Sequence, residues 1–177
     1  KPLWSVPVGE AHSSPVVADG VVYQFFKPKD ADADALIALD AATGAKKWEK
    51  SYEREKFSPP FGKGPRGTPA VAGGKVFTLG NTGILAAWDT KTGEVLWKKD
   101  TLAEFKGKNL FFGVSTSPTV VGDTVVVMVG AKGAGIVGFK TENGETVWKA
   151  SDDPASYASP LPIGTGKDAA LAFLTGA

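Results

Sequence analysis

The sequence contains no cysteine, which excludes disulfides, thiolate metal sites and cysteine nucleophiles within it. It has a single histidine, His12, so a metal site built on several imidazoles is excluded as well. Only Arg54 and Arg66 among the basic residues are arginine, the better fork for phosphate. Charge of one sign is also lacking: 20 basic and 19 acidic groups leave a net +1, which gives no electrostatic ground for binding nucleic acid or an anionic membrane. No apolar run approaches the roughly 20 residues that a bilayer-spanning helix requires. No stretch sustains a helical period, so very little helix is predicted. No signal peptide is legible either, because Lys1-Pro2-Leu3-Trp4 already reads as folded-domain sequence.

What is present is a repeat. The 22 glycines and 12 prolines are dispersed like punctuation between short strands. Ala38-Leu39-Asp40-Ala41-Ala42-Thr43-Gly44 leads to Trp48, Ala87-Trp88-Asp89-Thr90-Lys91-Thr92-Gly93 to Trp97, and Gly138-Phe139-Lys140-Thr141-Glu142-Asn143-Gly144 to Trp148. The third motif position precedes its Trp by 8 residues each time, and successive tryptophans lie 49 and 51 apart. Trp4, 44 residues before Trp48, reads as the last strand of an earlier unit. Each unit opens on a Ser/Thr-Pro pair (Ser14-Pro15, Thr68-Pro69, Ser117-Pro118, Ser159-Pro160), followed by the β-rich runs 21–26, 75–79, 124–129 and 169–174. A Ser/Thr-Pro strand, a Val/Phe-rich strand, a strand ending at the Asp and a Trp strand make four per unit.

Four strands in a repeat of about 40–50 residues are the blade of an all-β propeller, since such a sheet buries its two faces only by stacking on neighbours. The Asp-x-x-Thr-Gly segment reads as the outer hairpin, with Asp40 or Asp89 accepting amide hydrogen bonds and Gly44, Gly93 and Gly144 supplying the positive φ. The four repeated tryptophans, Trp4, Trp48, Trp97 and Trp148, read as staples between blades. The small residues Ala38, Ala87 and Gly138 read as leaving room for such a ring against a neighbouring blade. The predicted organisation is a partial propeller: 1–9 the last strand of a preceding blade, 10–52, 53–101 and 102–151 whole blades, and 152–177 the first half of another.

On these residues the chain resembles the pyrroloquinoline-quinone-like (PQQ-like) β-propeller repeat superfamily, whose docking pattern Ala-x-Asp-x-x-Thr-Gly-x-x-x-Trp stands at 38–48 and 87–97. The third copy departs, with Lys140 for Asp and Asn143 for Thr. The resemblance implies a ring of about seven or eight blades, completed either by more of a longer chain or by a second copy. It also implies two functional classes: quinoprotein dehydrogenases, which bind PQQ and calcium on the propeller axis, and non-catalytic scaffolds such as the propeller lipoproteins of bacterial outer-membrane protein assembly. The scaffold class needs no cofactor and implies a protein partner and a periplasmic or extracellular place. The vicinal cysteine pair familiar in PQQ alcohol dehydrogenases is absent. The repeat itself does not choose, because its Trp and Gly are structural in both classes. A carbohydrate- or peptide-binding propeller is a further alternative.

Several segments are candidate sites. Gly62-Lys63-Gly64-Pro65-Arg66-Gly67 carries the letters of a dinucleotide fingerprint, but a strand rather than a helix follows, so it reads as a connection between blades. Gly130 to Gly135 reads as a hairpin loop. Asp30, Asp32 and Asp34 alternate as in a calcium loop, yet positions 35 and 41, where Gly and Glu belong, are both Ala; the alternative is a solvated acidic hairpin tip. His12 reads as a channel-mouth or surface residue with no Ser/His/Asp spacing around it. The long connections 52–66 and 103–113 emerge on one face of the disc, where Phe57, Phe61, Arg66, Phe105, Phe111 and Phe112 form a candidate binding surface. No catalytic residue is assigned.

Overall fold

The computed structural model describes residues 1–164 and 170–176. Three four-stranded antiparallel sheets follow one another along the chain. The first comprises β1 (Val16–Ala18), β2 (Val21–Phe26), β3 (Ala33–Asp40) and β4 (Lys46–Glu53). The second comprises β5 (Ala70–Ala72), β6 (Lys75–Leu79), β7 (Ile84–Asp89) and β8 (Val95–Asp100). After a short helix, α1 (Thr101–Phe105), the third comprises β9 (Thr119–Val121), β10 (Thr124–Ala131), β11 (Ala134–Lys140) and β12 (Thr146–Ala150). β13 (Leu161–Ile163) and β14 (Ala170–Ala172) pair as a two-stranded sheet. In every sheet the strands lie in sequence order, so each is a simple meander.

Burial follows position in the blade. β3 reads Ala-Asp-Ala-Leu-Ile-Ala-Leu-Asp and is buried at seven consecutive positions, because both of its faces are covered. β4 buries only Trp48 and Tyr52, four residues apart on one face, and lines its exposed edge with Lys46, Lys47 and Lys50. Lysines on an outer strand discourage pairing with another chain. The apolar cores lie between blades rather than within them. Tyr23, Phe25 and Leu36 of the first sheet pack with Val76, Ala86 and Trp88 of the second, and Phe77, Leu79 and Leu85 of the second pack with Val125, Val127 and Phe139 of the third.

Residues 1–9 form no ladder, and an isolated bridge, Glu10 to Lys27, follows them. The helix α1 was not legible from periodicity, being only five residues long. Asp100 caps it by accepting the Ala103 amide, and Lys106, at φ +58°, ends it.

Candidate functional site

Two sets of contacts hold the blades in register. On the outer rim the indoles of Trp4, Trp48 and Trp97 each lie on the hairpin of the sheet that follows. Trp4 Nε1 donates to Ala41 O at 3.0 Å, Trp48 Nε1 to Thr90 O at 3.0 Å, and Trp97 Nε1 to Thr141 O at 3.2 Å. The ring faces the hairpin glycine so closely that a methyl on Gly93 would stand 2.5 Å from Trp48 Cε3, with Trp4 on Gly44 and Trp97 on Gly144 arranged alike. Each of these glycines has φ +73°. The small residues Ala38, Ala87 and Gly138 each stand directly across the ladder from the Trp of their own sheet, and the neighbouring sheet's contact with the ring is its hairpin glycine. Trp148 lies over Gly138 and is 39% exposed.

Toward the axis a second chain of contacts links the Ser/Thr-Pro pairs, and sequence reasoning missed it. The Ser14 amide donates to Thr68 Oγ1 at 3.2 Å, the Thr68 amide to Ser117 Oγ at 3.0 Å, and the Ser117 amide to Ser159 Oγ at 2.9 Å. The hydroxyls of Thr68, Ser117 and Ser159, each just before a proline, therefore accept from the preceding unit. The recurrence of Ser/Thr ahead of Pro was the available signal.

Within the hairpins Asp40 Oδ1 accepts from the Ala42 and Thr43 amides and the Thr43 hydroxyl, and Asp89 does the same with Lys91 and Thr92. The Thr43 hydroxyl and amide hold the Asp40 carboxyl below the usual carboxylate range, and the Thr92 and Lys91 amides do so for Asp89. In the third hairpin Lys140 pairs with Glu145 at 2.8 Å, and Asn143 Oδ1 accepts the Glu145 amide. The backbone turn is kept, the Gly144 amide reaching Lys140 O at 2.9 Å.

The connectors 54–69, 106–118 and 151–160 meet on one face and carry an exposed aromatic cluster. Phe61 is 82% exposed, Phe111 71% and Tyr157 45%. Ring centroids stand 6.1 Å apart for Phe61 and Phe112, 4.9 Å for Phe111 and Phe112, and 5.7 Å for Phe112 and Tyr157. Arg66 fastens the cluster: its Nε donates to Phe112 O at 3.1 Å, Nη2 reaches Phe61 O and Gly62 O, and the guanidinium lies 5.9 Å from the Phe112 centroid. The Phe112 amide donates to the Tyr157 hydroxyl at 3.3 Å. Phe61 itself sits at φ +64°, a left-handed conformation costly for a bulky residue.

The structure thus brings together Phe61, Arg66, Phe111 and Phe112, adds Tyr157, and corrects two positions. Phe105 sits on α1 and packs on Phe139 in the core between the second and third sheets. Phe57 is half-buried with its ring edge against Gly113. Both are apolar side chains turned inward to roof the blades.

A buried ion pair roots the first connector. Arg54 Nε donates to Asp34 Oδ1 at 2.9 Å, and both side chains are fully buried. The rest of the Arg54 fork holds Glu55 O at 2.8 Å and Lys63 O at 3.3 Å. Burial pushes the Asp34 carboxyl up, and the guanidinium pulls it back. Asp34 is therefore no part of a solvated tip or a calcium loop: it lies on β3, turned inward. Among the described residues no group of three or more His, Asp or Glu side chains converges to hold a metal. Asn81, wholly buried in the β6–β7 turn, donates to Lys63 O at 2.8 Å, and its carbonyl accepts from Val114 and Asn109. It pins two connectors at once, and an Asn between turn glycines gives no hint of that in sequence. His12 Nε2 lies 3.9 Å from Glu10 Oε1, under Gly62. Residues 62–67 form the connector and lead into β5, with no helix.

Meandering four-stranded sheets stacked face to face, latched by indoles outside and hydroxyls inside, define an all-β, incomplete β-propeller. A family model described as outer membrane protein assembly factor BamB matches residues 1–58 and 32–175, and the chain belongs to that family of PQQ-like propeller repeats. The quinoprotein ethanol dehydrogenase of Pseudomonas aeruginosa is 28% identical over 83% of this chain and 25% of its own length. The outer membrane protein assembly factor BamB of Vibrio cholerae is 30% identical over 89% of this chain and 37% of its own. A europium-containing methanol dehydrogenase structure superposes with a TM-score of 0.57 at 27% identity, covering 83% of this chain and 26% of that one. The chain thus spans well under half the length of these relatives. No helix among the described residues is long and apolar enough to cross a membrane.

Proposed function

We propose that this chain is part of a non-catalytic β-propeller scaffold that binds a protein partner through its connector face, outside the bacterial cytoplasm. The observation that carries this reading is the aromatic cluster of Phe61, Phe111, Phe112 and Tyr157, held by Arg66 on a rigid base. Solvent-facing aromatic rings of this kind are enriched where proteins meet proteins. The kinship with assembly factors points the same way and supports the location. The test is photocrosslinking from residue 61 or 111 in cells, which yields a discrete protein adduct if the face is a partner site. Crosslinking to water or lipid alone would count against it.

The second reading, part of a PQQ-dependent dehydrogenase, is favoured by the quinoprotein relatives, among them the ethanol dehydrogenase. PQQ titration followed by absorbance, with calcium and dye-coupled alcohol oxidation, separates the two. Stoichiometric quinone binding with calcium-dependent turnover would replace the scaffold reading.

A further inference from the structure

We propose that Asn143 is a site of spontaneous deamidation, and that the outer latch between the second and third blades controls its rate. The inference goes beyond the binding reading above and stands whichever partner the connectors take. The chain has three asparagines, Asn81, Asn109 and Asn143, and only Asn143 precedes a glycine. At the other two, the side chain of Thr82 or Leu110 crowds the amide that would have to attack; Gly144 puts nothing there. Asn81 is also wholly buried, whereas Asn143 is exposed. In the first two hairpins this position is Thr43 or Thr92, whose hydroxyl accepts the amide two residues on. Asn143 Oδ1 keeps that bond, accepting the Glu145 amide at 3.0 Å. The bond draws the carboxamide back along the chain past Gly144 and pulls electron density from its carbon. The third hairpin thus satisfies the same turn with an electrophile in place of a hydroxyl.

In the reaction the Gly144 nitrogen gives up its proton and bonds to Asn143 Cγ. The Cγ–Nδ2 bond breaks, and ammonia leaves carrying that proton. Water then opens the cyclic imide at either carbonyl, giving an aspartyl or an isoaspartyl residue. The folded hairpin restrains the first step. The Gly144 amide donates to Lys140 O at 2.9 Å, and the glycine is buried against the Trp97 ring, whose Nε1 donates to Thr141 O. The attacking nitrogen is freed only when these contacts open, so the rate is set by the local opening equilibrium. The isoaspartyl product carries one extra main-chain atom and cannot re-form a turn of the same length. Each such event therefore loosens the seat of Trp97.

The test is peptide mapping of the protein held at mildly alkaline pH, with the protein in strong urea as the unfolded control. Position 143 should exchange amide for acid, partly as isoaspartate, more slowly than in urea, while Asn81 and Asn109 keep their amides. Trp97→Phe keeps a ring beside Gly144 but loses the bond to Thr141, and should speed the exchange about fivefold, as for one hydrogen bond. Subdenaturing urea on the unsubstituted protein replaces that variant if it does not fold, and should speed the exchange likewise. Asn143→Thr should fold and stay unmodified. Conversion at Asn81 or Asn109 ahead of Asn143, or none at Asn143 once the urea control has converted, would overturn the site. A folded rate equal to that in urea, or one unmoved by opening the latch, would overturn the control assigned to Trp97.

Discussion

The two arginines of the chain perform the same task at different depths: each turns its fork on backbone carbonyls and so fixes a connector. Arg54 does it from a buried pair with Asp34, where loss of one partner strands a charge. Arg54→Ala should therefore lower unfolding stability by about 3–5 kcal/mol, read as a shift in the urea midpoint. The paired replacement Asp34→Leu with Arg54→Met removes both charges and should recover most of that loss. It does not restore the bonds to Glu55 O and Lys63 O. Hydrogen exchange in residues 55–64 should remain fast in the double variant even where its midpoint recovers. Recovery of both would mean that the guanidinium stabilises the core without shaping the connector.

The hairpin is the element whose behaviour follows from sequence alone, and its chemistry sets a pH dependence. Asp89 has its folded-state carboxyl held below the usual range by the Thr92 and Lys91 amides. A depressed acid contributes stability that is fully present above its unfolded value near 3.9 and is lost as pH falls through the folded one. Asp89→Asn should thus flatten the stability-versus-pH curve below about pH 4, measured by thermal melts in an acid series, and leave its shape near neutrality unchanged. Gly93→Ala in the same hairpin meets a φ of +73° and the Trp48 ring together, so it should cost more than the roughly 1 kcal/mol of a left-handed alanine alone. These turns were legible because Asp, Thr, Gly and Trp recur at fixed offsets, and each offset has a local physical cause. The connectors were legible only as aromatic and exposed. Phe105 and Phe61 look alike in sequence, yet a capped helical turn directs one into the core and a left-handed backbone holds the other out. The inward turn of Asp34 is likewise a tertiary fact, since its partner Arg54 lies beyond a strand and a hairpin.

Across the whole molecule, cores that lie between adjacent blades imply a nearest-neighbour architecture, in which each interface is a local sum of contacts. The interface between the first and second sheets has an outer latch at Trp48, an inner latch from Ser14 to Thr68, and the cross-blade pair of Lys50 with Glu94 at 2.6 Å. Trp48→Ala removes a nearly buried indole and should cost about 3–5 kcal/mol. Thr68→Val, which keeps the shape but leaves the Ser14 amide without its acceptor, should cost nearer 1 kcal/mol. Native-state hydrogen exchange on Trp48→Ala locates the loss. In a nearest-neighbour stack the amides of β2 and β3 lose protection while those of β10 and β11 keep theirs, because the contacts of Val125, Val127 and Phe139 with the second sheet are untouched. Equal loss of protection in all three sheets would instead mean that the blades open as one cooperative unit, with strain passing through the inner hydroxyl chain from Ser14 to Ser159.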